Sequence, residues 1–127
     1  MVLGLFKRTP KVEALFRPTL AVARELTREI EVVGELVLRN VGREAELTDL
    51  ELVLIGGGTR RIDLAVPEAW RGRLAIPAGG ELRQPATWKL TLAAPMRAPA
   101  AEIQVNTTAG GRHQPLAMTP AFPLANE

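Results

Sequence analysis

Residues 29–39 read EIEVVGELVLR, and the spacing of their apolar and charged side chains decides the fold class. A period of two places alternate side chains on opposite faces, which is typical of a β-strand with one buried and one wet face. The Asn40-Val41-Gly42 sequence that follows has the residue types of a tight turn. The apolar face and the charged face of this strand are Ile30, Val32, Gly34, Leu36 and Leu38 against Glu29, Glu31, Glu35 and Arg39.

The same alternation recurs in short segments spaced about ten residues apart and separated by prolines and glycines. This pattern predicts about seven or eight short strands in an all-β, antiparallel Greek-key β-sandwich of the immunoglobulin or arrestin-like kind. We expect residues 1–127 to form this single domain, with Phe16, Trp70 and Trp88 filling its core. The alternating positions of the further segments are Val12, Ala14 and Phe16, then Leu50, Leu52 and Leu54, then Ile62, Leu64 and Val66, then Leu74 and Ile76, then Trp88, Leu90 and Leu92, then Ile103, Val105 and Thr107, and finally Leu116 and Met118.

The segment 20–28 has two interpretations. It is rich in Ala, Arg, Glu and Leu, and Leu26 continues a helical spacing with Ile30 and Val33. Pro18 precedes it, and proline both ends strands and begins helices. A short helix near residues 20–28 is therefore the alternative to a strand there.

The composition excludes much enzyme chemistry. The 127 residues contain no cysteine, no serine and a single histidine, His113. These absences exclude disulfides, thiolate metal sites, cysteine nucleophiles and a serine triad. One histidine cannot form a histidine-rich metal cluster. We therefore predict that the protein is not an enzyme and has no catalytic residue, no metal and no cofactor.

Charge and hydropathy bear on partners and location. A formal net charge of +2 is a weak source of attraction for nucleic acid, so no nucleic-acid partner is predicted. No run of about 18 apolar residues is present, which predicts no stable membrane insertion. The apolar stretch from Met1 to Phe6 precedes Lys7 and Arg8, the reverse of the order in a signal peptide. We expect a cytoplasmic protein whose first residues cap the sandwich or pack in an oligomer.

Glycines and arginines supply two candidate anion sites. Gly56-Gly57-Gly58, followed by Thr59 and Arg60, matches neither a P-loop nor a dinucleotide loop, so a hairpin tip is favoured over a phosphate site. Four arginines in or near two loops are the material of a basic patch that binds phosphate or nucleic acid. Because base-stacking aromatic residues are scarce, a dispersed solvated surface is favoured. The four arginines are Arg60, Arg61, Arg71 and Arg73.

Hydroxyl and carboxylate groups supply two candidate reactive sites. Thr107 and Thr108 with His113 resemble a nucleophile and a base, and Glu102 is the nearest carboxylate in sequence. An internal threonine needs strong activation, so a solvated loop histidine is favoured over catalysis. Two carboxylate pairs at strand spacing could each share a cation, but the wet face of a strand explains both. These pairs are Glu29 with Glu31, and Asp49 with Glu51.

Several stretches together carry a resemblance to a known family. These stretches are 11–15 (KVEAL), 32–38 (VVGELVL), 47–54 (LTDLELVL), 76–80 (IPAGG), 88–92, Pro95, Pro99 and 103–107. They resemble the N-terminal half of arrestin-like proteins, in particular the bacterial sporulation-control family. The resemblance implies an all-β sandwich that acts as a regulator or scaffold and binds other proteins, and it supplies no catalytic residues. The chain departs from the family in lacking a second sandwich and in having Arg28-Glu29 where a Pro-Gly turn is usual.

A second resemblance is to a class of extracellular modules. Residues 36–42, LVLRNVG, are similar to the strand and Asn-x-Gly turn of adhesion-type immunoglobulin-like modules. Such modules belong to multidomain extracellular chains, which disagrees with the expected cytoplasmic location.

We expect a non-enzymatic regulatory or scaffold module that binds a protein partner through strand edges and loops, with a homodimer favoured over a monomer. The partner-binding residues cannot be named from the sequence. The alternatives are an extracellular adhesion-type immunoglobulin-like module and a small-molecule or phosphate-binding protein.

Overall fold

The computed structural model describes residues 11–56, 60–109 and 112–127. Within those ranges most residues lie in strands, and one short 3-10 helix is present at Glu68–Trp70. The strands are β1 (Val12–Arg24), β2 (Glu29–Asn40), β3 (Ala45–Gly56), β4 (Arg60–Leu64), β5 (Arg73–Ile76), β6 (Glu81–Thr91), β7 (Ala100–Ala109), β8 (Arg112–Met118), β9 (Phe122–Pro123) and β10 (Ala125–Asn126).

The strands form two sheets. Sheet A has the order β10-β1-β2-β6. Sheet B has the order β4-β3-β7-β8, with β5 also paired to β3 and β9 also paired to β7. The described pairings are antiparallel except for β10, which lies parallel to β1. This arrangement confirms the predicted β-sandwich, and β9 and β10 are additions that the alternation did not predict.

The core lies between the two sheets and includes most of the predicted apolar positions, but Met118 is exposed. Several buried residues, among them Leu47, Met96 and Leu124, are core residues that the alternation did not predict.

Three aromatic side chains form a cluster in the core. The ring of Phe16 lies 6.0 Å from the ring of Trp88 and 5.1 Å from the ring of Phe122, centroid to centroid. The Trp88 indole N–H donates to the Ala65 carbonyl oxygen at 2.8 Å, which satisfies its polar group inside the core. Trp70 is also buried, so the three predicted core aromatics are confirmed.

The helix considered for residues 20–28 is wrong. Strand β1 continues through Pro18 to Arg24, and a turn over residues 25–28 leads directly into β2. A register shift between Pro18 and Leu20 lets β1 stay paired with β2 on both sides of the irregularity. Those ladder hydrogen bonds outweigh a weak local preference for helix. Leu26, which completed the helical spacing, is almost fully exposed on the turn.

Three edge strands each contain a proline. Pro18 lies in the part of β1 that β10 does not cover, Pro85 lies in β6, and Pro115 lies in β8. Proline cannot donate a ladder hydrogen bond, and its presence on an edge strand hinders pairing with a further strand. Addition of a further hydrogen-bonded strand along these edges is therefore disfavoured.

No helix in the described ranges is long and apolar enough to cross a membrane.

Candidate functional site

The threonines singled out in the sequence have structural roles. The Thr107 hydroxyl is fully buried and donates to the Thr48 carbonyl oxygen at 2.9 Å. The Thr48 hydroxyl in turn donates to the Thr108 carbonyl oxygen at 3.2 Å. Thr108 and His113 are paired across β7 and β8, and the His113 side chain lies outside the described side chains. The hydroxyl group of Thr107 therefore has a structural role, because its hydrogen bond links β7 to β3.

Three of the four carboxylates in the two predicted pairs have a partner, and the fourth, Asp49, is an exposed residue of β3. Glu31 lies 3.0 Å from Arg24 and Glu29 lies 3.9 Å from Lys89, so each carboxylate of the first pair has its own cation. Glu51 accepts a hydrogen bond from the Asn106 side chain at 3.1 Å. In the described residues, His, Asp and Glu form no group of three that could hold a metal ion.

The four arginines do not form one patch. Arg60 donates to the carbonyl oxygens of Ala94 and Pro95 at 2.7 and 2.8 Å and so holds the connection between β6 and β7. The other three each have a separate partner: Arg61 the Gln104 side chain, Arg71 the Val66 carbonyl oxygen, and Arg73 the Glu46 carboxylate. Of the predicted glycine-rich tip, residues 57–59 lie outside the described part of the chain, while Gly56 pairs with Arg60 as a hairpin requires.

The outer face of sheet A carries a ladder of ion pairs. Glu81 accepts hydrogen bonds from Arg83 at 2.6 Å and from Arg39 at 3.2 Å. These bonds, the one from Arg83 above all, lower the pKa of Glu81 below its ordinary value of 4.5. The same bond raises the pKa of Arg83, and a hydrogen bond to Glu31 raises the pKa of Arg24. The ladder binds the three long strands of sheet A to one another.

Replacing Glu81 with glutamine is expected to lower stability slightly at neutral pH and by a smaller amount at about pH 3. The folded-state pKa of this carboxyl is depressed, so its contribution is present above pH 4.5 and is lost as pH falls below that value. The effect is small because the groups face solvent. Urea midpoints at both pH values test this, with Glu44→Gln in an exposed loop as the control. An equal difference at both pH values would contradict it.

Asn40, at the end of β2, is a buried polar residue that is only 1 % exposed. Its amide nitrogen donates to the carbonyl oxygens of Arg43 at 2.7 Å and of Ile76 at 2.9 Å. Its side-chain oxygen accepts the Gly42 backbone N–H at 2.9 Å. One buried side chain therefore fixes its own turn and also the end of β5, which is distant in sequence.

The backbone of Asn40 joins the same two loops. Its N–H donates to the Gly80 carbonyl oxygen at 2.9 Å, and its carbonyl oxygen accepts the Gly79 N–H at 3.0 Å. The next residue, Val41, donates its N–H to the Lys11 carbonyl oxygen at 2.9 Å. We call residues 41–44 and 77–80 the Asn40 loops. The sequence predicted the turn, which is confirmed, but no pattern in it shows that Asn40 is buried or that it reaches the second loop.

The Asn40 loops present an apolar side chain to solvent. Val41 is 55 % exposed although its own N–H bonds to the Lys11 carbonyl oxygen and both backbone groups of the preceding Asn40 are hydrogen-bonded. Arg43 and Glu44 are exposed beside it and offer charges of both signs. A loop held rigidly by a scaffold is the usual position of a recognition surface, because little conformational entropy remains to be lost on binding.

The two packed sheets define the chain as a β-sandwich protein. No protein-family model and no curated protein matches the sequence. Solved structures match in fold: the sporulation control protein Spo0M of Bacillus subtilis aligns with a TM-score of 0.55 at 14% identity, over 92% of this chain and 49% of that one. The predicted resemblance to the sporulation-control family is thus confirmed as a likeness of fold.

Two further structures have the same fold. The putative ApaA protein of Bordetella pertussis aligns with a TM-score of 0.57 at 11% identity, over 94% of this chain and 96% of that one. The alkylpurine DNA glycosylase AlkC of Pseudomonas fluorescens aligns with a TM-score of 0.51 at 13% identity, over 96% of this chain and 33% of that one. The chain therefore spans nearly all of the ApaA protein, about half of Spo0M and about one third of AlkC.

Proposed function

We propose that this protein is a non-enzymatic regulatory or scaffold module that binds another protein through the Asn40 loops. The observation that carries the proposal is Val41, an exposed apolar side chain on a loop fixed by the buried Asn40. Exposed apolar groups on rigid loops contribute contact area at low entropic cost. The prolines in β1, β6 and β8 support loops over strand edges as the contact surface.

The neighbours add a second line of support. One protein with the same fold is a sporulation control protein, which is a regulatory role. We propose a regulatory role for this chain by analogy of fold. The surface that we propose for this role is identified from the chain's own loops.

Replacing Val41 with aspartate is expected to weaken partner binding at least about tenfold, because a charge would be buried in an apolar contact. The tagged protein and its variants would be used to capture partners from lysate of the source organism, with quantification by mass spectrometry. Met118→Asp is the matched control, since Met118 is 47 % exposed on β8 and away from the loops. Thermal melts would show that both variants are folded.

The proposal is supported by a stoichiometric protein that wild type and Met118→Asp retain and Val41→Asp loses. It is contradicted if Val41→Asp captures that protein as well as wild type does, or if wild type captures none. The cytoplasmic location stays a prediction, which cell fractionation with an antibody to the tag would test.

A further inference from the structure

The turn between β1 and β2, residues 25–28, lies at the end of the sandwich opposite the Asn40 loops, because β1 runs the full length of sheet A between the two. Leu26 at its tip is 98 % exposed, the highest exposure among the large apolar side chains of the described residues. The turn is fixed in place, since the Leu92 N–H donates to the Arg28 carbonyl oxygen at 2.8 Å. Leu26 is therefore an apolar projection on a defined backbone.

A cleft of about 490 Å³ lies beside this turn, between it, the connection from β6 to β7 and the C-terminal residues. Its apolar lining includes Ala23, Met96 and Ala98, all of which are buried. An ion pair between Glu25 and Arg97 lies on its rim. The cleft is open to solvent and its lining includes apolar groups, so it can admit Leu26 of another molecule.

A projection and a matching cleft side by side on one molecule are the elements of a two-fold interface. A two-fold axis between them places each projection in the cleft of the other copy, so both contacts form at once. The rim charges suit the same symmetry, because Glu25 of one copy then faces Arg97 of the other and the reverse pair also forms.

We propose that a second copy of this chain docks on this end, with Leu26 of each copy seated in the cleft of the other and the Glu25–Arg97 pairs exchanged between copies. This goes beyond the proposed function, because it needs no other protein and uses the opposite end of the sandwich. The dimer would present two sets of Asn40 loops facing away from each other, which makes it a bivalent scaffold.

Sedimentation equilibrium from about 1 to about 500 μM tests the proposal, a range chosen for micromolar self-association. The wild-type mass is expected to rise from 13.8 kDa towards twice that value. Leu26→Asp is expected to raise the dissociation constant at least about tenfold, because it would place a charge in the apolar cleft. Val41→Asp, an equivalent change on the Asn40 loops, should leave the constant unchanged.

A charge exchange separates a contact between copies from one within a chain, and it does not depend on Leu26→Asp. Glu25→Arg alone places two arginines at each contact between copies, and Arg97→Glu alone places two glutamates there, so each variant should stay monomeric. An equimolar mixture pairs opposite charges at both contacts and should dimerise. Intramolecular pairing alone would give no such rescue.

A wild-type mass that stays at 13.8 kDa throughout overturns the proposal, and so does a dimer that neither Leu26→Asp nor the charge variants weaken. If wild type is monomeric and Leu26→Asp instead abolishes capture of a different protein, this end binds that protein and the proposal is also overturned. None of these outcomes depends on Val41, so failure here is distinguishable from failure of the proposed function.

Discussion

Replacing Asn40 with alanine is expected to destabilise the fold by about 3 kcal/mol, because it leaves buried backbone groups without their hydrogen-bond partners. The Ile76 carbonyl oxygen loses its 2.9 Å donor, and Ile76 itself is fully buried, so water cannot easily replace it. The Gly42 N–H loses its acceptor at the same time. Such a loss is a large part of the total stability of a small domain.

Asn40→Asp tests the same contact in a different way. A carboxylate can still accept the Gly42 N–H, but it faces the carbonyl oxygens of Arg43 and Ile76 that an amide would have bonded. We expect this variant to be at least as unstable as Asn40→Ala at neutral pH. Burial beside carbonyl oxygens raises the pKa of the new carboxyl, so the defect should shrink as pH falls and the group becomes a donor.

Urea denaturation of wild type, Asn40→Ala and Asn40→Asp at several pH values provides the measurement. Val41→Ala is the control, because it alters an exposed neighbour and should change stability by less than about 0.5 kcal/mol. A loss for Asn40→Ala no larger than that of Val41→Ala would contradict the role assigned to Asn40.

Replacing Gly34 with alanine is expected to cost about 3 kcal/mol or to prevent folding, because β2 lies between β1 and β6 and has no space for a further methyl group. A Cβ at this position would clash with the Arg17 carbonyl oxygen and lie 2.7 Å from Cζ of Phe16. The Phe16 ring packs against Trp88 and Phe122 and cannot move away freely.

Gly72→Ala is the matched control, since a Cβ there meets nothing within 4 Å. Its positive φ of 84° still makes alanine unfavourable, by about 1 kcal/mol. Gly34→Ala should therefore be clearly the worse of the two in denaturation midpoint. Adding Phe16→Leu should not rescue it, because the clash with the Arg17 backbone remains. Rescue by that second change, or equal effects of the two glycine variants, would contradict this account.

The alternation of side chains predicted most strands because a buried face leaves a period of two in any strand that borders one core. The alternation did not predict strands whose position depends on pairing with another strand. Residues 20–24 continue β1 because β2 supplies their ladder, and β6 begins at Glu81 and passes through Pro85 because the strand lies at an edge. Strand β10 consists of only two residues and has no length over which alternation could be read.

The candidate sites show the same division. Residue types alone suggested reactive pairs such as Thr107 with His113 and Glu29 with Glu31, and the fold gives Thr107 and the two glutamates partners within the structure. Val41 and Leu26 are exposed apolar residues in the structure. In the sequence, Val41 was only part of a predicted turn and Leu26 only part of a helical spacing.

By itself the sequence determined the fold class, the positions of the main core residues and the Asn40-Val41-Gly42 turn, because periodicity and turn chemistry are local properties of the chain. The tertiary structure alone decided the order of the strands, the burial of Asn40 and the placement of Leu26 beside a cleft. These depend on which distant segments meet: Asn40 bonds to Ile76, 36 residues away, and the cleft needs Ala23 and Ala98 side by side. Contacts between segments so far apart leave no period in the sequence from which they could be read.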